Sequence, residues 1–233
     1  MTRLWAALCA LAALGFAASP WLAPGFDGFN ASQFPVQVEN PPVQPAGYAF
    51  GIWGVIFLWL ILGTGFGLLR RADEADWQHA RPTLFASLVL GAAWLPLAQV
   101  APLAATVLIW AMLATALVAL FRTGDLDRWL QQAPVAVYAG WLTAASAVAT
   151  GVVLGGYGML EPTPAALAAL SLALLIAVTV QYRLHRAPEY GVTVIWALVG
   201  IIAANAQPLN AAVAGLAVIG ILIILGLRGT DTE

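Results

Sequence analysis

Lysine does not occur in this 233-residue chain, and its nine basic residues are all arginine. Charged residues of every kind make up 9% of it, against 62% hydrophobic. Soluble domains run near a quarter charged, so a soluble fold would have too little surface polarity here. The composition indicates an integral membrane protein. There is no basic patch, which removes nucleic acid from the candidate partners. The single cysteine, Cys9, excludes an internal disulfide and a cysteine-based metal site. It sits in an apolar segment and reads as a small apolar filler. The two histidines, His79 and His185, fall among charged residues between apolar segments. A buried haem or chlorophyll would find no axial histidine within a span. No catalytic or metal-ligating set is visible, and an enzyme is not the favoured reading.

What the chain does contain is apolar length. Eight segments stand out, at about 4–24, 46–69, 82–99, 101–121, 133–156, 163–182, 190–206 and 209–228. Pro82, Pro134 and Pro164 lie near segment starts, where a missing N–H costs little. "QVAP" (99–102) and "NAQPLN" (205–210) read as tight turns. The spacing therefore predicts an all-α, polytopic membrane helix bundle of about eight transmembrane helices. The N-terminal stretch also has the features of a secretory leader. Its apolar length suits a retained first helix, which is the reading taken.

The arginines test the count. Arg3, Arg70, Arg71, Arg81, Arg122, Arg128, Arg183, Arg186 and Arg228 all fall on one side of an eight-span layout. The opposite loops carry only Asp27, Glu39 and Glu161. Positive charge stays cytoplasmic, so both termini are expected inside, in a bacterial inner membrane. No Asp, Glu, Lys or His lies within any of the eight segments, and Arg228 stands only at the very end of the eighth. Such residues cost about 2.5–3.5 kcal/mol at mid-bilayer and mark ion or proton paths. Their absence argues against a pump, a proton-coupled carrier or a voltage sensor.

Aromatic residues supply the candidate site. In "QPAGYAFGIWGVIFLW", read as a continuous helix, Ala46, Phe50, Trp53 and Phe57 form one stripe, and Trp59 faces elsewhere. Interface preference accounts for Tyr48, but not for Trp53 and Phe57, which lie two to three turns deep. The third segment carries Trp94 with Pro96. The fifth carries Tyr138 and Trp141 one turn apart, followed by Ala145 and Ala149. Large rings beside small residues on three helices would leave a flat apolar slot. Plain packing and interface roles account for the same residues from composition alone.

These motifs resemble the translocator protein / tryptophan-rich sensory protein (TspO/MBR) family. In that family a Pro-rich segment leads into the second helix, followed by an aromatic and then a deep Trp with an aromatic four residues on. The counterparts here are Pro45, Gly47, Tyr48, Phe50, Trp53 and Phe57. The family's Trp–x–Pro pair matches Trp94 and Pro96, and its fifth-helix Tyr, Trp and Ala match Tyr138, Trp141 and Ala145. Gly91 and Ala149 stand where the family often carries Asn, which implies fewer polar ligand contacts.

The resemblance covers about residues 1–156 as a five-helix, TspO-like ligand-binding bundle. Residues 157–233 would form a three-helix C-terminal membrane extension, as in an extended bacterial branch. It implies a ligand such as protoporphyrin IX, haem or another tetrapyrrole, or a sterol-like flat hydrophobe. Loop 25–45 would be a lid, with Pro45–Gly47 as its hinge. The implied ligand-binding residues are Tyr48, Phe50, Trp53, Phe57, Gly91, Trp94, Pro96, Tyr138, Trp141 and Ala145. The implied role is that of a sensor, regulator or transporter whose partners are membrane lipid and the hydrophobic ligand. A non-catalytic subunit of a larger membrane complex, photosynthetic ones included, stays open, as does a porphyrin-modifying enzyme. The Gly-x-x-x-Gly spacings at 47–51 and 151–155 leave a homodimer open too.

Overall fold

The computed structural model describes residues 2–22 and 28–229. Asp27, the last residues (23–24) of the first apolar segment and the first residues (25–27) of the expected lid lie outside the described residues. Eight long helices follow one another. They are α1 (Thr2–Leu22), α2 (Ile52–Arg70), α3 (Arg81–Val100) and α4 (Pro102–Phe121), then α5 (Gln132–Gly156), α6 (Pro162–Arg183), α7 (Pro188–Ala204) and α8 (Ala211–Gly229). No strand ladder occurs among the described residues. Among the described residues six spans are long and apolar enough to cross a membrane, and α7 and α8 are further apolar helices packed against α5, α6 and each other. Pro102, Pro162 and Pro188 each open a helix, where the locked φ favours the first turn.

α5 lies at the centre. It packs against α2, α4, α6 and α7, and 21 of its 25 residues are buried, so no side of it faces lipid. A helix that is apolar all round belongs inside. Small residues let its neighbours close in, as membrane packing requires. A Cβ at Gly140 would come within 2.5 Å of the Tyr190 carbonyl on α7. The Thr143 hydroxyl meets the Tyr190 hydroxyl at 2.8 Å. One at Gly151 would come within 3.0 Å of Ala169 on α6 and of Val43. The 151–155 glycine pair is thus used at Gly151 for packing inside the chain. Gly47 and Gly51 face open space.

The described arginine side chains collect at one end of the bundle, and four of them are ion-paired there. Arg3 pairs with Asp73 at 2.8 Å, Arg71 with Asp127 at 2.7 Å and Arg186 with Asp125 at 3.2 Å, and Arg128 meets Glu189. Arg81, placed by the sequence between the second and third apolar segments, is buried. It is the first residue of α3 and only 4% exposed. Its guanidinium donates to the carbonyls of Gly67 (3.0 Å), Arg71 (2.9 Å) and Ala72 (2.9 Å). These lie at the C-terminal end of α2, where unpaired carbonyls and the helix dipole favour a cation.

The opposite end is crossed by a strap, residues 28–46. Asn30 caps a short 3₁₀ turn, Ala31–Gln33: its Oδ1 accepts the Ser32 N–H at 2.9 Å, and Gln33 Oε1 accepts the Asn30 N–H at 2.8 Å. Gln33 Nε2 donates to the carbonyls of Ala98 and Gln99 at the end of α3, at 3.0 and 2.9 Å. The Val36 N–H bonds the Gly156 carbonyl at 2.9 Å, fixing the strap to α5. Asn205 Nδ2, just past α7, donates to the Pro42 carbonyl at 2.8 Å, and the Ala46 N–H reaches the Gly200 carbonyl at 3.0 Å. Phe34 lies over Gly156, so closely that a Cβ there would sit 2.5 Å from its ring.

Candidate ligand-binding crevice

Where the strap turns into α2, residues Gly47–Gly51 form a 3₁₀ helix, and the α-helix begins only at Ile52. The sequence pattern reads this stretch as one continuous helix. α7 supplies the reason for the difference: Trp196 Nε1 donates to the Ala49 carbonyl at 3.0 Å, and Gly200 packs against Pro45 and Ala49. Phe50 and Trp53 nevertheless face the same neighbour. Both rings meet Trp141 edge-on, at 5.8 and 6.0 Å between centroids.

Toward the arginine end α2 lies close to the start of α5: a Cβ on Gly63 would collide with the Leu130 carbonyl just before that helix, at 2.2 Å, and reach Pro134 within it at 3.4 Å. Toward the strap, rings fill the space between them. Trp53 stacks on Phe57 at 5.3 Å. Phe16 of α1 meets Trp53, Phe57 and Tyr138 edge-on at 5.7, 5.0 and 5.7 Å. Its ring lies on Gly91, where a Cβ would come within 2.8 Å. Tyr138 is fully buried, and its hydroxyl meets that of Ser87 at 2.9 Å.

Beside this aromatic cluster, under the strap, is a small apolar crevice of about 40 Å³. Phe50, Trp94, Trp141 and Ala145 line it, together with Phe29 and Pro45 of the strap. Gly28, Gln44, Ala144, Val148, Ala149 and Val152 complete the wall. Trp94 is held by its indole N–H, which donates to the Ala105 carbonyl on α4 at 2.9 Å. Trp141 is 2% exposed, and its indole N–H has no partner among the described residues. An unpaired buried donor is costly, and a bound acceptor would satisfy it.

Of the ten residues singled out by sequence, four line the crevice: Phe50, Trp94, Trp141 and Ala145. Trp53, Phe57, Gly91 and Tyr138 build the aromatic cluster beside them. Tyr48 is half-exposed and packs edge-on against Trp196 of α7 at 5.6 Å. Pro96 lies inside α3, half-buried and away from the lining. Phe16, Phe29 and Gln44 belong to the site as well, and sequence reasoning passed over them. Their signal was weak: a lone Phe among small residues on α1, and two residues in irregular chain.

Among the described residues nothing that lines the crevice is charged, and no group of His, Cys, Asp and Glu suited to a metal occurs. What the arrangement offers is apolar contact, ring faces and edges, and one unpaired donor.

Comparison with curated proteins and with solved structures gave no match. A family model described as TSPO-like protein matches residues 7–228. That match begins in α1, runs past residue 156 and reaches α8, so the last three helices fall within it. Together with the bundle of apolar helices, it shows that the chain belongs to the TSPO-like protein family.

Proposed function

We propose that this membrane protein binds a flat hydrophobic molecule, a tetrapyrrole such as protoporphyrin IX or haem or a sterol-like compound, in the crevice between α3, α5 and the strap with its 3₁₀ turn into α2. It acts as a sensor, regulator or transporter of that molecule. The strap serves as the lid, with Pro45–Gly47 as its hinge. One observation carries this reading. Phe50, Trp94 and Trp141 come from three separate parts of the chain and converge on one apolar crevice, closed by a hydrogen-bonded strap. The crevice is closed down: about 40 Å³ holds a water or so, whereas drug-sized ligands occupy about 300–1,000 Å³. Binding therefore requires the strap and the rings to part. Confinement of the arginines to one end supports a bacterial inner-membrane setting with that end, and both termini, in the cytoplasm.

The test is tryptophan-fluorescence quenching of the purified protein by protoporphyrin IX. Trp53→Ala and Trp141→Ala should each weaken binding by about tenfold or more, since Trp141 is a large ring of the crevice wall and Trp53 packs edge-on behind it. Unchanged titrations in folded variants would refute the crevice as the site.

A further inference from the structure

A second, larger cavity opens at the strap end. It is about 700 Å³, lined by Glu39, Asn40, Gln44 and Pro45 of the strap and by Asn205 and Gln207 beyond α7. Gln44 and Pro45 line the crevice as well, so these two residues form the wall between the two spaces. A ring system that passed this wall into the crevice would leave its trailing edge in the outer vestibule. The vestibule's chemistry then decides what that edge can be. Its walls are carboxamides, proline rings and backbone, and among the described residues its one charged side chain is Glu39. Glu39 is exposed and has no cationic partner among the described residues. The other described charged side chain at this end, Glu161 before α6, is also acidic. The arginines lie at the far end of helices of about 20 residues, roughly 30 Å away and several screening lengths distant. A carboxylate edge in the vestibule would meet like charge and no counter-ion.

We infer that the vestibule favours, among the flat apolar ligands that reach the crevice behind it, those whose polar edge is neutral or cationic over those that carry carboxylates, which bind more weakly. This rests on the crevice reading proposed above, and names the ligand class for that site. The experiment uses the full-length protein in neutral-lipid nanodiscs, titrated with protoporphyrin IX and with its dimethyl ester. The ring is common to both probes and only the edge charge differs. The ester should bind more tightly. Its advantage over the diacid should shrink roughly threefold in Glu39→Gln and roughly tenfold in Glu39→Arg, as expected for charges several ångströms apart in a wet site. Partition of each probe into lipid is the same for all three proteins, so the change on substitution reads the vestibule. Binding of both probes with a preference indifferent to residue 39 overturns this inference alone. Binding of neither probe overturns the crevice reading and this inference with it.

Discussion

Removing the carboxamide of Gln33 separates a gated crevice from one reached some other way. The crevice of about 40 Å³ cannot take a ring ligand until the strap lifts. Gln33 Nε2 holds the strap to α3 through two carbonyls, at 3.0 and 2.9 Å. Each bond contributes about 0.5–1.5 kcal/mol net, so Gln33→Ala weakens the closed state by about 1–3 kcal/mol. At 1.4 kcal/mol per decade this raises the open fraction by roughly 5- to 100-fold. Gln33 also accepts the Asn30 N–H, so part of the loss falls on the local turn. Adding Asn205→Ala removes the bond to the Pro42 carbonyl on the α7 side and should add about another tenfold at most. The assay is stopped-flow tryptophan quenching by protoporphyrin IX dimethyl ester. Association should accelerate in Gln33→Ala and further in the double variant. Dissociation should accelerate alongside it, and the equilibrium constant should move less than either rate. An unchanged association rate in both variants, with the bundle still folded, would show that ligands bypass the strap, for instance by passing between helices from the bilayer.

Two predictions concern the arginine end. Arg81→Gln deletes a buried guanidinium that donates to three carbonyls near the end of α2 and should cost about 3 kcal/mol; Arg81→Lys should also destabilise, because an ammonium lacks the fork geometry. Thermal unfolding in detergent checks both, and a shift in Tm of a degree or less for Arg81→Gln would refute the cap. The Arg71 guanidinium, aided by the Trp77 indole N–H, holds the Asp127 carboxyl below the usual carboxylate range. A carboxyl depressed in the folded state stabilises above its unfolded pKa, and the gain is lost as the pH falls through the folded value. Stability should therefore fall from about pH 4 downward, and Asp127→Asn should be less stable at pH 7 with a shallower acid slope. Equal slopes in the two proteins would remove this ion pair from the account.

The eight helices were readable in the sequence because apolar length and arginine placement are one-dimensional signals. Lipid imposes the first and insertion the second, and neither needs a tertiary contact to be decoded. Arg81 shows where that reading stops. It is one more charge between two apolar runs until the end of α2 folds back beside it, and only then is it a buried cap. The 3₁₀ turn at 47–51 is a second case. Its residues suit a helix, and the departure comes from α7, almost 150 positions later, whose Trp196 claims the Ala49 carbonyl. The site divides in the same way. Trp94 and Trp141 were visible as large rings beside small residues. The strap's contribution was visible only as a loop, because Phe29 and Gln44 acquire their positions from bonds that Gln33, Val36 and Pro42 make with three different helices. Tyr48 reads well as a motif member, yet its ring packs on Trp196, on a helix outside the stretch that carries the motif.

The enclosed position of α5 has a consequence for how the protein is made. When the ribosome has delivered residues up to Gly156, the surface around Gly140 and Thr143 lacks its companion Tyr190, and Gly151 has Val43 but not Ala169, because Tyr190 and Ala169 have yet to be synthesised. For that interval the helix must rest with its small, hydroxyl-bearing side against lipid or against the insertion machinery. The last three helices thus finish the seating of a helix that preceded them, and a chain interrupted before α6 would leave the wall carrying Trp141 half-assembled.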